Sequence, residues 1–175
     1  MKSILGLVVC VFVGASSVAI GNTTLGKSGS SRKPAANKGE IEYVTFQSAE
    51  PTAVGPKTEM SLTLTFKVAD GFHIQANPAS TPQLIPTTLT LPSANNLEVG
   101  APIYPAGKAY RLQGSNSEIS TYDGFVTIKV PVKTPAKTVG ASFAWKGSLR
   151  FQACNEKTCF FPKKLAFELP FQVIK

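Results

Sequence analysis

Two of the three cysteines in this 175-residue chain stand close enough to act as a pair. Cys154 and Cys159 enclose Asn155-Glu156-Lys157-Thr158, a polar run that suits a turn. Two thiols at this spacing can close an internal disulfide, exchange it with a foreign thiolate, or offer two ligands to a metal. Metal binding is the weakest of these, because two more ligands are needed. The one histidine, His73, sits between Phe72 and Ile74, as a packed or turn residue would. A Cys–His hydrolase fails too: no third orienting group has a recognisable context, and a disulfide would consume the nucleophile. Neither a metal nor an organic cofactor is implied.

The flanking segments position the pair. Gly147 to Cys154 reads as a strand with Leu149, Phe151 and Ala153 on one face and Ser148, Arg150, Gln152 and Cys154 on the other. An apolar run follows Cys159, so the cysteines lie at the neck of a hairpin. Facing Cα atoms in an antiparallel pair are about 4.5–5.5 Å apart, within the span of about 4.4–6.8 Å that a disulfide bridges. As a staple such a bond does little, since a loop of ~6 residues contributes about 2 kcal/mol against about 4.7 for one of ~100. At an exposed turn it is easier for another thiolate to reach. Lys157, Lys163 and Lys164 flank the pair with only Glu156 opposing them, and positive charge favours the thiolate. Spacing and context leave redox exchange and a structural clip both open.

The rest of the chain after Ile41 is β-like. Met60, Leu62, Leu64, Phe66 and Val68 alternate with Ser61, Thr63, Thr65 and Lys67, the period of a strand with one buried face. Phe125 to Val132 places Val126, Ile128, Val130 and Val132 on one side, and Leu165 to Val173 turns Leu165, Phe167, Leu169, Phe171 and Val173 inward. Ile41 to Phe46, Leu84 to Leu91 and Ser142 to Trp145 are further strands, with Pro86 demoting the start of the second to an edge or bend. No segment keeps a helical period. About seven to nine short strands predict an all-β, immunoglobulin-like antiparallel β-sandwich, with a closed barrel as the alternative.

Residues 1–19 read as a signal peptide: Lys2, an apolar run from Ile4 to Gly14, and a small-x-small site at Ser17-Val18-Ala19. The run is shorter than the ~20 residues of a membrane span. Cys10 lies within it and leaves with it. Residues 20–40, rich in Gly, Ser, Asn and Lys, read as a flexible linker, and 41–175 as the folded domain. The net charge of +8 misleads: Lys2, Lys27, Arg32, Lys33 and Lys38 precede residue 40, leaving thirteen basic against ten acidic side chains, a net of +3. That is no nucleic-acid footprint.

The stretch from Leu149 through Phe151-Gln152-Ala153-Cys154 to Cys159-Phe160-Phe161-Pro162 resembles the active-site hairpin of the N-terminal domain of the DsbD-type thiol:disulfide interchange proteins. Gly71-Phe72-His73-Ile74-Gln75-Ala76-Asn77, Leu84-Ile85-Pro86-Thr87, Tyr104-Pro105-Ala106-Gly107-Lys108 and Tyr122-Asp123-Gly124 match in order and spacing. The resemblance covers roughly residues 41–173. The polar loop between the cysteines is one residue shorter here than in the best-known member.

The resemblance implies a sandwich in the bacterial periplasm with protein-disulfide reductase activity and no cofactor. Its donor would be a thioredoxin-like protein or a membrane electron carrier. Its acceptors would be periplasmic disulfide isomerases or cytochrome c maturation thioredoxins. Cys159 would form the mixed disulfide with the partner, and Cys154 would complete the internal bond. A cap loop at about Ala109 to Ser117 would shield the sulfurs through Tyr110 or Leu112. Phe160 and Phe161 would shield the sulfurs or dock the partner; alternatively Phe161 packs in the core. The membrane carrier and thioredoxin domain of the longer proteins are missing from this sequence, so a free-standing form with its donor on another protein is expected; a monomer is expected as well. The rival reading is an exported binding or adaptor sandwich with a structural disulfide.

Overall fold

The computed structural model describes residues 41–136 and 140–174. The signal peptide and linker read from the sequence lie outside the described residues. The described chain is all-β, without a helix, and none of it is a helix long and apolar enough to cross a membrane. It forms an immunoglobulin-like sandwich of two four-stranded sheets, with a third four-stranded sheet that carries the cysteine hairpin.

The first sheet has the order β1-β3-β9-β6, from β1 (Val44–Glu50), β3 (Glu59–Val68), β9 (Phe125–Lys133) and β6 (Glu98–Val99). The second has the order β2-β12-β10-β5, from β2 (Ala53–Val54), β12 (Lys163–Val173), β10 (Ala141–Phe151) and β5 (Thr88–Thr90). All pairs in these sheets are antiparallel except β12 with β2, which is parallel. Open edges replace the ladder that would close a barrel.

The alternating strands bury the faces predicted for them. Leu62 pairs with Val130, Leu64 with Ile128 and Phe66 with Val126, and all six are buried. From the other sheet come Trp145, Leu149, Phe151, Leu169 and Phe171. Phe167 joins the layers: its ring stacks on Phe46 at 4.6 Å and meets Phe66 edge-on at 5.4 Å. Gly147 faces Phe167 across the ladder, and a Cβ there would stand 2.5 Å from the ring. The segment read as two strands around Gly147 is therefore one, because the long partner β12 pairs with it without interruption.

Other expectations shift with the chain path. The described residues form twelve strands rather than seven to nine. β1 starts at Val44 rather than Ile41 and runs on to Glu50, with a register shift between Phe46 and Ser48. Of Leu84 to Leu91 only Thr88–Thr90 is strand. Before it the main chain turns inward: the Ile85 amide donates to Gln152 Oε1 and the Thr87 amide to the Gln75 carbonyl.

The third sheet has the order β11-β4-β8-β7, from β11 (Ala153–Cys154), β4 (His73–Gln75), β8 (Glu118–Tyr122) and β7 (Lys108–Arg111). The chain leaves the second sheet at Gln152 and enters this one. The alternation predicted through Cys154 fails there: Ala153 and Cys154 are both buried, as are the successive residues Ile74 and Gln75 of β4, the strand with which β11 pairs.

Candidate functional site

Cys154 and Cys159 face each other as an isolated antiparallel bridge at the neck of the turn and are joined as a disulfide. The turn is held by its first residue: Asn155 Oδ1 accepts from the amides of Lys157 and Thr158, both at 2.9 Å, an Asx-turn. On either side of the bridge the Asn155 amide donates to the Thr158 carbonyl and the Phe160 amide to the Ala153 carbonyl. The cysteines thus occupy a non-hydrogen-bonded pair, the site where facing strands come closest. Their Cα atoms are 3.9 Å apart, nearer than the spacing anticipated from sequence.

Gln152 braces this hairpin. Its Nε2 donates to the Phe160 carbonyl at 3.1 Å while its Oε1 accepts from the Ile85 amide at 2.9 Å.

The two sulfurs differ in environment. Cys154 is 0% exposed, whereas Cys159 is half-buried and lines an open cleft of about 280 Å³ with Gln152, Thr158, Phe160, Phe161 and Pro162. The aromatic neighbours divide opposite to one of the sequence readings. Phe160, not Phe161, packs: it stacks on Tyr43 at 5.2 Å and lies 6.1 Å from Phe72. Phe161 is 92% exposed. Of the flanking cations, Lys157 and Lys164 are exposed and Lys163 Nζ lies 4.8 Å from the centroid of the Tyr43 ring.

Register sets what stands beside Cys154. Cys154 opposes His73, Gln75 opposes Thr121, and Thr121 opposes Lys108, so these side chains share one face with Tyr110, two residues on from Lys108. Gln75, fully buried, directs Nε2 to Cys154 Sγ at 3.1 Å and to Cys159 Sγ at 3.7 Å. The ring of Tyr110 lies on His73 at 3.8 Å. Two residues beyond β7, the Gln113 amide donates to the Glu156 carbonyl at 2.7 Å, tying the turn after Tyr110 to the tip of the hairpin. Leu112, in that turn, is half-buried.

Burial lowers the His73 pKa below 6.5, with Lys108 acting the same way and Asp123 and Glu156 opposing. The Lys108 ammonium, hydrogen-bonded to Asp123, holds that carboxyl below its usual 3.8. Among the described residues no group of three or more His, Cys, Asp and Glu side chains is placed to hold a metal.

A family model described as thiol:disulfide interchange protein DsbD, N-terminal, matches residues 42–170. The chain belongs to this family. The DsbD match takes in both sandwich sheets and both cysteines, and its thiol:disulfide interchange chemistry has a disulfide here to act on. The solved structures to which the chain is similar include three of low identity. The Neisseria meningitidis DsbD N-terminal domain, in its reduced form, is 19% identical with a TM-score of 0.40, over 67% of this chain and 85% of that one. The N-terminal periplasmic domain of ScsB from Proteus mirabilis is 14% identical with a TM-score of 0.44, over 72% of this chain and 44% of that one. AggA, the major subunit of an Escherichia coli adherence fimbria, is 13% identical with a TM-score of 0.41, over 77% and 98%. Comparison with curated proteins finds no match.

The DsbD-like motifs converge in space. Tyr122 Oη accepts from the Asn77 amide and donates to the Pro105 carbonyl, both at 3.0 Å. Asn77 Nδ2 donates to the Thr87 carbonyl at 2.9 Å. Gln75 is visible in the sequence only as a letter of those motifs, and Gln152 as a motif letter and one face of a strand. Their contacts, one with the sulfurs and one with the hairpin, carry no periodic signal.

Proposed function

We propose that this DsbD-family domain shuttles electrons by reversible exchange at Cys154–Cys159. The observation that carries the reading is the asymmetry of the two sulfurs: one sealed, one at the wall of an open cleft. A partner thiolate attacks Cys159 Sγ. A new bond forms between the partner and Cys159, the Cys154–Cys159 bond breaks, and its electron pair leaves on Cys154 Sγ. A second partner thiolate then attacks the partner's own sulfur in the mixed disulfide and releases Cys159 as a thiolate. After uptake of two protons this chain holds a dithiol and the partner a disulfide. The reverse sequence passes the two electrons to an acceptor protein.

The family points to a thioredoxin-like Cys-x-x-Cys protein or a membrane electron carrier as donor. Acceptors of the same chemistry are periplasmic disulfide isomerases and cytochrome c maturation thioredoxins. Phe161, nearly fully exposed beside Cys159, offers an apolar contact for such a partner, and Tyr110 and Leu112 shield the opposite side. The signal-like residues 1–19 support an extracytoplasmic location, after cleavage near Ala19, with 20–40 as tether and 41–175 as the working domain.

The test is reduction of the folded, oxidised protein by thioredoxin, followed by its reduction potential. Exchange function expects reduction within minutes and a potential well above about −300 mV, the level below which structural disulfides fall. A bond that resists thioredoxin in the folded protein refutes the proposal and leaves a structural clip.

A further inference from the structure

Gln75 is held in place more firmly than a surface amide would be. Its amide donates to the Gln152 carbonyl at 3.1 Å, and its carbonyl accepts from the Thr87 amide at 3.2 Å and from Thr87 Oγ1 at 2.6 Å. With the backbone fixed on both sides, the side chain is aimed at the disulfide, and Nε2 stands 3.1 Å from Cys154 Sγ. Its Oε1 is buried with no hydrogen-bond partner among the described residues. A buried amide with half its capacity unmet costs stability, and an apolar side chain of the same shape would fill the space without that cost. What the amide offers instead is one N–H donor facing a sulfur that is closed off from water.

We infer that Gln75 stabilises Cys154 as the leaving thiolate, which makes it a specific determinant of the exchange rate. The inference rests on the exchange reading above. When an incoming thiolate bonds to Cys159 Sγ and the old S–S bond breaks, the electron pair comes to rest on Cys154 Sγ. That sulfur is 0% exposed, so water cannot solvate the charge, and burial by itself raises a thiol pKa. The Nε2–H supplies the missing hydrogen bond, stronger to a thiolate than to the neutral disulfide. A proton taken up later completes the thiol. Exchange is faster the lower the pKa of the leaving thiol. Gln75 therefore acts on the step in which Cys154 departs. Its weaker contact at 3.7 Å with Cys159 Sγ favours Cys154 as the stabilised sulfur.

The experiment titrates Cys154 alone, in the Cys159→Ser protein, by ultraviolet thiolate absorbance with Gln75 intact, as Gln75→Met and as Gln75→Glu. The methionine keeps the size and removes the donor; the glutamate places a carboxylate against the sulfur. The Cys154 pKa should be highest with Gln75→Glu, lower with Gln75→Met and lowest with Gln75 intact. The methionine step should be about one unit, a tenfold loss of thiolate at a given pH. In the two-cysteine protein, Gln75→Met should slow reduction by dithiothreitol about threefold. The side-chain amide proton resonance of Gln75 should also follow the Cys154 titration when Gln75 is intact, a measurement that needs no Gln75 variant. Equal pKa values in all three proteins, or a Gln75 resonance indifferent to the thiolate, overturn the inference. The titration involves no partner protein, so failure of the exchange reading with thioredoxin leaves this result separately readable.

Discussion

The main-chain amide of Gln113 donates to the carbonyl of Glu156 at 2.7 Å, and so the turn after β7 is fastened to the tip of the cysteine hairpin. Tyr110, at the base of the same turn, lies on His73, which opposes Cys154 across the strand pair β4–β11. The segment is thus held to the hairpin by that hydrogen bond and to β4 by the aromatic contact, and we propose that it covers one side of the disulfide. Tyr110→Ala removes the ring. Reduction by dithiothreitol should become several-fold faster, with a loss of about 1 kcal/mol in unfolding free energy. An unaltered reduction rate at the expected loss of stability would show that Tyr110 packs without shielding.

The roles of the cysteines can be separated chemically. In Cys154→Ser the half-buried Cys159 remains in the cleft with no resolving partner. It should accumulate a mixed disulfide with a thioredoxin variant that lacks its own second cysteine, seen as a band lost on reduction. Cys159→Ser leaves only the sealed Cys154 and should trap far less. Equal trapping by both variants would mean that the burial seen here does not govern attack.

Phe161 offers a test of docking that leaves the fold alone. Because the side chain is 92% exposed, Phe161→Ala should change the unfolding free energy by less than about 0.5 kcal/mol. Reduction by a small dithiol should stay as it was. Reduction by thioredoxin should fall several-fold, since only a protein partner covers the ring. Loss of reactivity toward both reductants would assign Phe161 to the hairpin's geometry instead.

His73 predicts a window of pH dependence. Its pKa in the folded protein lies below 6.5, with burial as the largest cause. As pH falls through 6.5 the unfolded chain takes up the proton first, so stability is full above 6.5 and declines down to the folded pKa. The paired Asp123 acts in a separate window, losing its contribution as pH falls below 3.8. Urea unfolding between neutral and mildly acid pH should show the slope in the wild type and lack it in His73→Phe. A slope that survives the substitution would belong to another group.

Much of the sandwich was legible because its long strands bury one face each. Alternation in Met60 to Val68, Phe125 to Val132 and Leu165 to Val173 marks the sides that became the core. The hairpin was legible for a different reason, since a polar turn between two cysteines constrains its own ends. β4 was not. It spans His73–Gln75, too short for a period, and its adjacent Ile74 and Gln75 are both buried, which erases the contrast that alternation depends on.

The chain alone thus determined an all-β domain and a cysteine pair able to close across a turn. Which sulfur is sealed, and what touches it, depended on the chain crossing from one sheet to another at Gln152. That crossing buries Cys154 and brings Gln75 to it from 79 residues away. It also leaves two adjacent phenylalanines in opposite settings: Phe160 against Tyr43 and Phe161 in solvent. Contacts between such distant segments follow from packing, and packing is a property of the assembled layers rather than of any local run of residues.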